Sequence, residues 1–152
     1  DQYTRALLVP KLLGDLLLLA TVVFGEAEGE DFDGKVAVAH VIRNRVKKGG
    51  WWGNTWKEVM LRGKQFSCFN EDYLPILVSR LQRAYDTNYE VWVECYGAAI
   101  AVFHDTPSGL PLSTALPFGA THYHTASSDP PWDDGISPCA IIGNHKFYKG
   151  IK

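Results

Sequence analysis

Residues 16–24 read Leu-Leu-Leu-Leu-Ala-Thr-Val-Val-Phe and lead straight into Gly25-Glu26-Ala27-Glu28-Gly29-Glu30. A helix with apolar side chains on nearly every face has no solvent side to show, so it must lie at the centre of its domain. The run therefore fixes where the core is, and it delivers a carboxylate, Glu26, to the edge of that core. An acid partly withdrawn from water ionises less readily, and its pKa rises. That is what a general acid needs near neutral pH. Gly25 and Gly29 carry no side chain on either side of the acid, so the pattern suggests close approach by a polymer. Alternating glutamates are otherwise a common solvated face, and the cluster alone does not specify chemistry.

Asp15 is placed to cap this helix, which is expected over 16–26. Gly29 and Gly34 punctuate a turn, with Asp31 or Asp33 available as the next cap. A second helix is expected over 34–48, where Val38, Val41, Ile42 and Arg45 recur at helical spacing and Gly49-Gly50 stops the pattern. Trp51, Trp52 and Trp56 crowd a turn-rich segment, and a loop follows over 61–70. Further helices are expected over 72–84 and 89–104, separated by Asp86-Thr87-Asn88. Proline and glycine make 107–119 irregular. Residues 121–125 and 146–148 are short, rich in β-formers and suited to an antiparallel pairing. The fold class is mainly α (α+β), with a small antiparallel β element.

At 152 residues the chain suits a single catalytic domain over 1–152. Its net charge of -2 predicts no broad polyanion-binding surface, so nucleic acid is not an expected partner. Arg43, Arg45, Lys47 and Lys48 read as the solvated face of a helix, open to acidic polymers. The lipophilic stretch 6–24 is interrupted by Pro10, Lys11, Gly14 and Asp15, too soon for the ~20 apolar residues of a membrane span. No stable membrane insertion is expected. The start at Asp1, without a methionine, leaves room for a trimmed export signal. Cys68, Cys95 and Cys139 have no metal-type spacing, and an odd number leaves at least one thiol unpaired. Three free thiols are the simplest expectation, with one disulfide left open.

Beyond the glutamate cluster stand Asp31-Phe32-Asp33-Gly34-Lys35-Val36-Ala37-Val38-Ala39-His40-Val41-Ile42-Arg43-Asn44-Arg45-Val46, then Gln65-Phe66-Ser67-Cys68, then Ile142-Gly143-Asn144-His145-Lys146-Phe147-Tyr148. In this order and spacing the blocks resemble the SleB-type cell wall hydrolases, a family of spore cortex-lytic enzymes and bacteriophage endolysins. The resemblance runs from about residue 19 to 148, and residues 1–18 lie outside it. It implies a lysozyme-like fold, related to goose-type lysozymes and lytic transglycosylases, in which a central helix presents one glutamate to a glycan groove.

Residue by residue, the resemblance implies that Glu26, the first glutamate of the Gly-Glu-Ala-x-Gly-Glu motif, carries catalysis. Glu30 matches the second glutamate, either as an auxiliary group or as a capping and hydrogen-bonding residue. Glu28 stands where the family commonly has arginine. Gln65, Phe66 and Ser67 match the Gln-Phe-Ser motif and offer amide and flat apolar faces to a substrate. Tyr123 matches a recurrent tyrosine and is placed to orient substrate or Glu26. His145 falls on the Gly-Asn-His-x-Phe-Tyr block, as a substrate-side or structural histidine. His40, on a valine-rich helix, reads as a core histidine. The implied partner is a peptidoglycan glycan strand, bound by a monomer that needs no cofactor or metal and acts on the cell wall outside the cytoplasmic membrane. The implied reaction cuts the MurNAc–GlcNAc β-1,4 linkage as a lytic transglycosylase or muramidase. A phage endolysin, made in the host cytoplasm and released at lysis, fits this reading, and a bacterial remodelling enzyme fits nearly as well.

The competing expectation is a zinc-dependent N-acetylmuramoyl-L-alanine amidase. His122 and His124 have the spacing of strand ligands on one face, and His145 or Glu26 would complete the three protein ligands that catalytic zinc requires.

Overall fold

The computed structural model describes residues 14–62, 66–70, 72–103, 119–133 and 135–151. The segments expected to be irregular over 107–118, the residues before Gly14, His104 and Gln65 lie outside this set. Among the described residues, five α-helices and a small sheet make a mainly α fold. The helices are α1 (Asp15–Ala27), α2 (Phe32–Lys48), α3 (Trp56–Leu61), α4 (Leu74–Thr87) and α5 (Tyr89–Phe103). Single 3-10 turns occur at Gly50–Trp52, Ser67–Phe69 and Pro131–Asp133.

Helix α1 is the core element that its apolar run predicts: every residue from Leu18 to Phe24 is buried. Its principal neighbour is α5, followed by α2. The buried face of α5 is built from Cys95, Ala98, Ala99, Ala101 and Val102. Such small side chains let the two helix axes approach closely, which a face of leucines would prevent. Helix α2 is buried on two sides. Val36, Ala39 and Ile42 join the core around α1, whereas Ala37, Val38 and Val41 pack with Ala120, Ile142 and Phe147 beneath the sheet.

Three local expectations are corrected, and the choice of cap for α2 is decided. Asp15 lies inside the first turn of α1, and Gly14 occupies the cap position without a side-chain bond. Asp31 is the residue that caps α2, its Oδ1 accepting from the Gly34 N–H at 3.1 Å. The turn-rich tryptophan segment ends in a helix, α3, whose Thr55 hydroxyl accepts from the Glu58 N–H at 3.1 Å. The Ser/Thr-x-x-Glu pattern at Thr55 and Glu58 was the available signal for that helix. Helix α4 also continues to Thr87, leaving Asn88 alone between it and α5.

The sheet has strand order β1-β3-β2, with β1 His122–Thr125, β2 Ala140–Ile142 and β3 His145–Tyr148. The expected antiparallel pairing of β1 with β3 is present, with Tyr123 opposite Phe147. Strand β2 adds a hairpin partner through a two-residue turn, Gly143-Asn144, where Gly143 takes φ 56°. Alternation along these strands sends Tyr123, His145 and Phe147 to the face that covers α1 and α2. It sends His122, His124 and Tyr148 to the other.

Candidate active site

Glu26 is the penultimate residue of α1 and is half-buried. Burial raises its carboxyl above the usual carboxylate range; a hydrogen bond from Tyr123 and the charges of Arg45 and Arg80 oppose the shift but do not cancel it. The acid form is thus favoured by desolvation, while one hydrogen-bond donor fixes the group's orientation. Burial, and next the charge of Glu26, hold the Tyr123 phenol well above its own usual range, so it stays a donor. Tyr123 is itself held edge-on to His145, with ring centroids 5.3 Å apart, and tilted against Phe147 at 5.8 Å.

Arg45 is buried, which corrects its assignment to a solvated helix face. Its Nε donates to the Thr121 carbonyl at 2.7 Å, and its guanidinium lies 4.3 Å from the Trp52 ring centroid and 5.2 Å from that of Phe66. Burial lowers its pKa to about 10, with Tyr123 and Glu26 acting the other way, so it remains a cation beside the acid at neutral pH. The sequence carried a signal for this inward position, since Arg45 continues the helical spacing of Val38, Val41 and Ile42. Its charge argued the opposite way.

On the other side Arg80 pairs with Glu28 at 3.0 Å and reaches the Phe24 carbonyl at 3.5 Å. Glu28 therefore pins the turn after α1 through an arginine on α4. Gly25 does not leave space for a polymer: a Cβ there would lie 2.7 Å from Cys68 Sγ, so the glycine admits the 66–70 segment. Gly29 is the one with open space around it.

Glu30 is buried and faces the β2–β3 turn. Its Oε1 accepts from the Asn144 N–H at 2.9 Å and from His145 Nδ1 at 2.6 Å, and Asn144 Nδ2 lies 3.5 Å from Oε2. A Cβ at Gly143 would fall 2.6 Å from Oε2, so the turn backbone lies directly on the carboxylate. The structure therefore brings Glu26, Tyr123, Arg45 and Phe66 together, with Glu30 and His145 joined as a separate pair behind Tyr123. Phe66 is buried against Arg45. Ser67 begins a 3-10 turn, and His40 is buried in α2.

His122 and His124 project from the opposite side of β1. His124 Nε2 lies 2.8 Å from the Tyr148 hydroxyl and 3.1 Å from Asp133, and its Nδ1 lies 2.7 Å from the Thr125 carbonyl. His122 is half-buried between the rings of Trp52 and Trp132. Because His145 and Glu26 lie under the inner face, neither completes a ligand set with the outer pair. Among the described residues no three His, Cys, Asp or Glu side chains are grouped to hold a metal ion. The amidase expectation is corrected on this geometry: alternation along β1 separates the ligands it required.

The family model for cell wall hydrolases matches residues 29–148. That is most of the chain, and the chain belongs to the cell wall hydrolase family. Glu30, Phe66, Tyr123 and His145 fall inside the match, and Glu26 lies just before it. Neither a curated protein nor a solved structure matches the chain.

Proposed function

We propose that this cell wall hydrolase is a glycosidase, cleaving the β-1,4 linkage between MurNAc and GlcNAc with Glu26 as its single acid and base. Family membership gives peptidoglycan as the substrate. The observation that carries the glycosidase reading is the half-buried Glu26, raised by burial and oriented by Tyr123. With Tyr123 O–H bonded to one carboxyl oxygen, the other holds the proton and gives it to the glycosidic oxygen. The bond from the anomeric carbon to that oxygen breaks, and its electron pair stays with the leaving sugar. The carbonyl of the neighbouring N-acetyl group bonds to the anomeric carbon in place of a protein nucleophile.

Glu26, now a carboxylate steadied by Tyr123 and the charge of Arg45, takes a proton from the muramic C6 hydroxyl or from water. That oxygen then closes on the anomeric carbon as the bond to the N-acetyl oxygen breaks and its electron pair returns to the amide, giving a 1,6-anhydro or a reducing end. A single carboxylate suits the surroundings, since Glu30 is committed to Asn144 and His145 and Asp31 caps α2. An endolysin role agrees with this scheme. No described helix is long and apolar enough to cross a membrane.

The test is mass analysis of murein digested by the protein and by Glu26→Gln. Loss of at least roughly 10²-fold in rate is expected for the variant, the scale of general acid catalysis. Anhydro-muramic ends identify transglycosylation and reducing muramic ends a muramidase. Free stem peptides, or full activity of the variant, would overturn the scheme.

A further inference from the structure

The side of β1 that faces away from Glu26 carries a chain of aromatic rings that the proposed chemistry does not use. Trp51 meets Trp52 at 4.7 Å between centroids, Trp52 meets His122 at 5.1 Å, and His122 meets Trp132 at 4.9 Å. Trp52 is buried, but Trp51 is 72% exposed, the most exposed large apolar side chain among the described residues. A tryptophan held in water is costly and commonly marks a contact surface.

The loop that presents it is built rather than loose. Gly49, Gly50 and Gly53 all take positive φ, at 64°, 64° and 115°. A Cβ at Gly53 would meet Glu58 Cβ at 2.8 Å, and one at Gly49 would meet Asn54 Oδ1 at 2.7 Å. Asn54 Oδ1 also accepts from the Gly50 N–H. The backbone has little choice, and its geometry drives Trp51 outward. His122 is uncharged in this setting: burial, then Arg45 and Lys48, hold its pKa down to about 4. Its ring therefore continues the apolar ridge, while the exposed Lys48 beside it supplies positive charge. The nearby acid Asp133 is occupied by His124 at 3.1 Å. Arg45 links the ridge to the acid, since its guanidinium lies over Trp52 and its charge acts on Glu26.

We propose that Trp51, His122 and Trp132, with Lys48 at their edge, form a second glycan subsite remote from the scissile bond. It takes the apolar faces of N-acetylated amino sugars on the rings and a muramoyl or stem-peptide carboxylate on the lysine. The inference rests on peptidoglycan being the substrate. An amphipathic ring suits a sugar, which is apolar on its faces and polar at its rim. Arg45 couples the two sites only through the protein interior, so the ridge is an additional holding point for the polymer rather than an extension of the Glu26 site.

The test is co-sedimentation with purified sacculi in the Glu26→Gln background, so that binding is read without digestion. Adding Trp51→Ala is expected to weaken binding about tenfold, as for loss of one aromatic anchor, and Trp51→Phe to restore most of it. Lys48→Glu should weaken binding to sacculi at low salt only, and leave binding to uncharged chitohexaose unchanged. Trp51 is exposed, so its melting temperature serves as a folding control. Equal binding by Trp51→Ala and its parent would overturn the subsite, as would binding lost through Lys48→Glu alone. Should Glu26→Gln still cleave murein, the glycosidase scheme fails, and co-sedimentation of Trp51→Ala and its parent on ice, before any digestion, decides the subsite.

Discussion

Glu30 offers the sharpest separation between a chemical and an architectural carboxylate. Its Oε1 receives two donors, the Asn144 N–H at 2.9 Å and His145 Nδ1 at 2.6 Å, and its side chain is 7% exposed. In Glu30→Gln one amide oxygen can keep both donors, and the Asn144 side chain can turn its own oxygen toward the new NH₂. The loss is then charge assistance, about 1–2 kcal/mol. In Glu30→Ala a buried backbone N–H and a buried imidazole lose their acceptor together, and removing one side of a buried polar pair costs about 3–5 kcal/mol. For a chain of this size each kcal/mol moves the melting temperature by about 2–4 °C, so Glu30→Ala should melt roughly 10 °C lower. Urea unfolding with an unchanged m-value would give the free energies directly. Well below its melting temperature, Glu30→Gln should lyse murein at close to the parent rate. Two results would refute the reasoning. One is Glu30→Ala costing no more than Glu30→Gln. The other is Glu30→Gln folding normally but losing activity as Glu26→Gln does.

Three further outcomes are expected. Gly25→Ala places a methyl 2.7 Å from Cys68 Sγ and should cost about 1–3 kcal/mol by overpacking; Cys68→Ala in the same chain should recover part of it, as a double-mutant cycle by urea unfolding would report. Because burial raises the Glu26 pKa in the folded state, the stability it lends is complete below its unfolded pKa and falls as pH rises through the folded one. Glu26→Gln should therefore melt higher than the parent at neutral pH and lose that advantage in acid; a lower melting temperature at neutral pH would contradict the shift. Cys139 is the exposed thiol, whereas Cys68 and Cys95 are buried, burial pushing the Cys95 thiol up to about 12. Native protein should accordingly yield one fast-reacting thiol to a disulfide reagent, and unfolded protein three.

What the sequence determined by itself was local and periodic. The nine-residue run 16–24 ahead of Gly25 and Glu26 required a central helix, since a segment apolar on every side has nowhere else to go. The same run required an acid at the core's edge. Helical spacing located α2, α4 and α5, and β-forming composition located β1 and β3, to within a few positions, whereas α3 and β2 were not anticipated. Even the capping of α2 by Asp31 was among the stated choices, because a cap is satisfied by its own neighbours.

Tertiary structure decided what depended on partners distant along the chain. Glu30 is bound by Asn144 and His145, and Arg45 by Thr121, and no local pattern encodes those pairings. Gly25 serves Cys68 rather than an approaching polymer, a role visible only once the 66–70 segment lies across α1. The charge of Arg45 suggested water, yet a slot between Trp52 and Phe66 satisfies it inside. Strand pairing sorted the three sheet histidines onto two faces. Sequence spacing fixes which side chains share a strand face, but only the fold decides what that face meets.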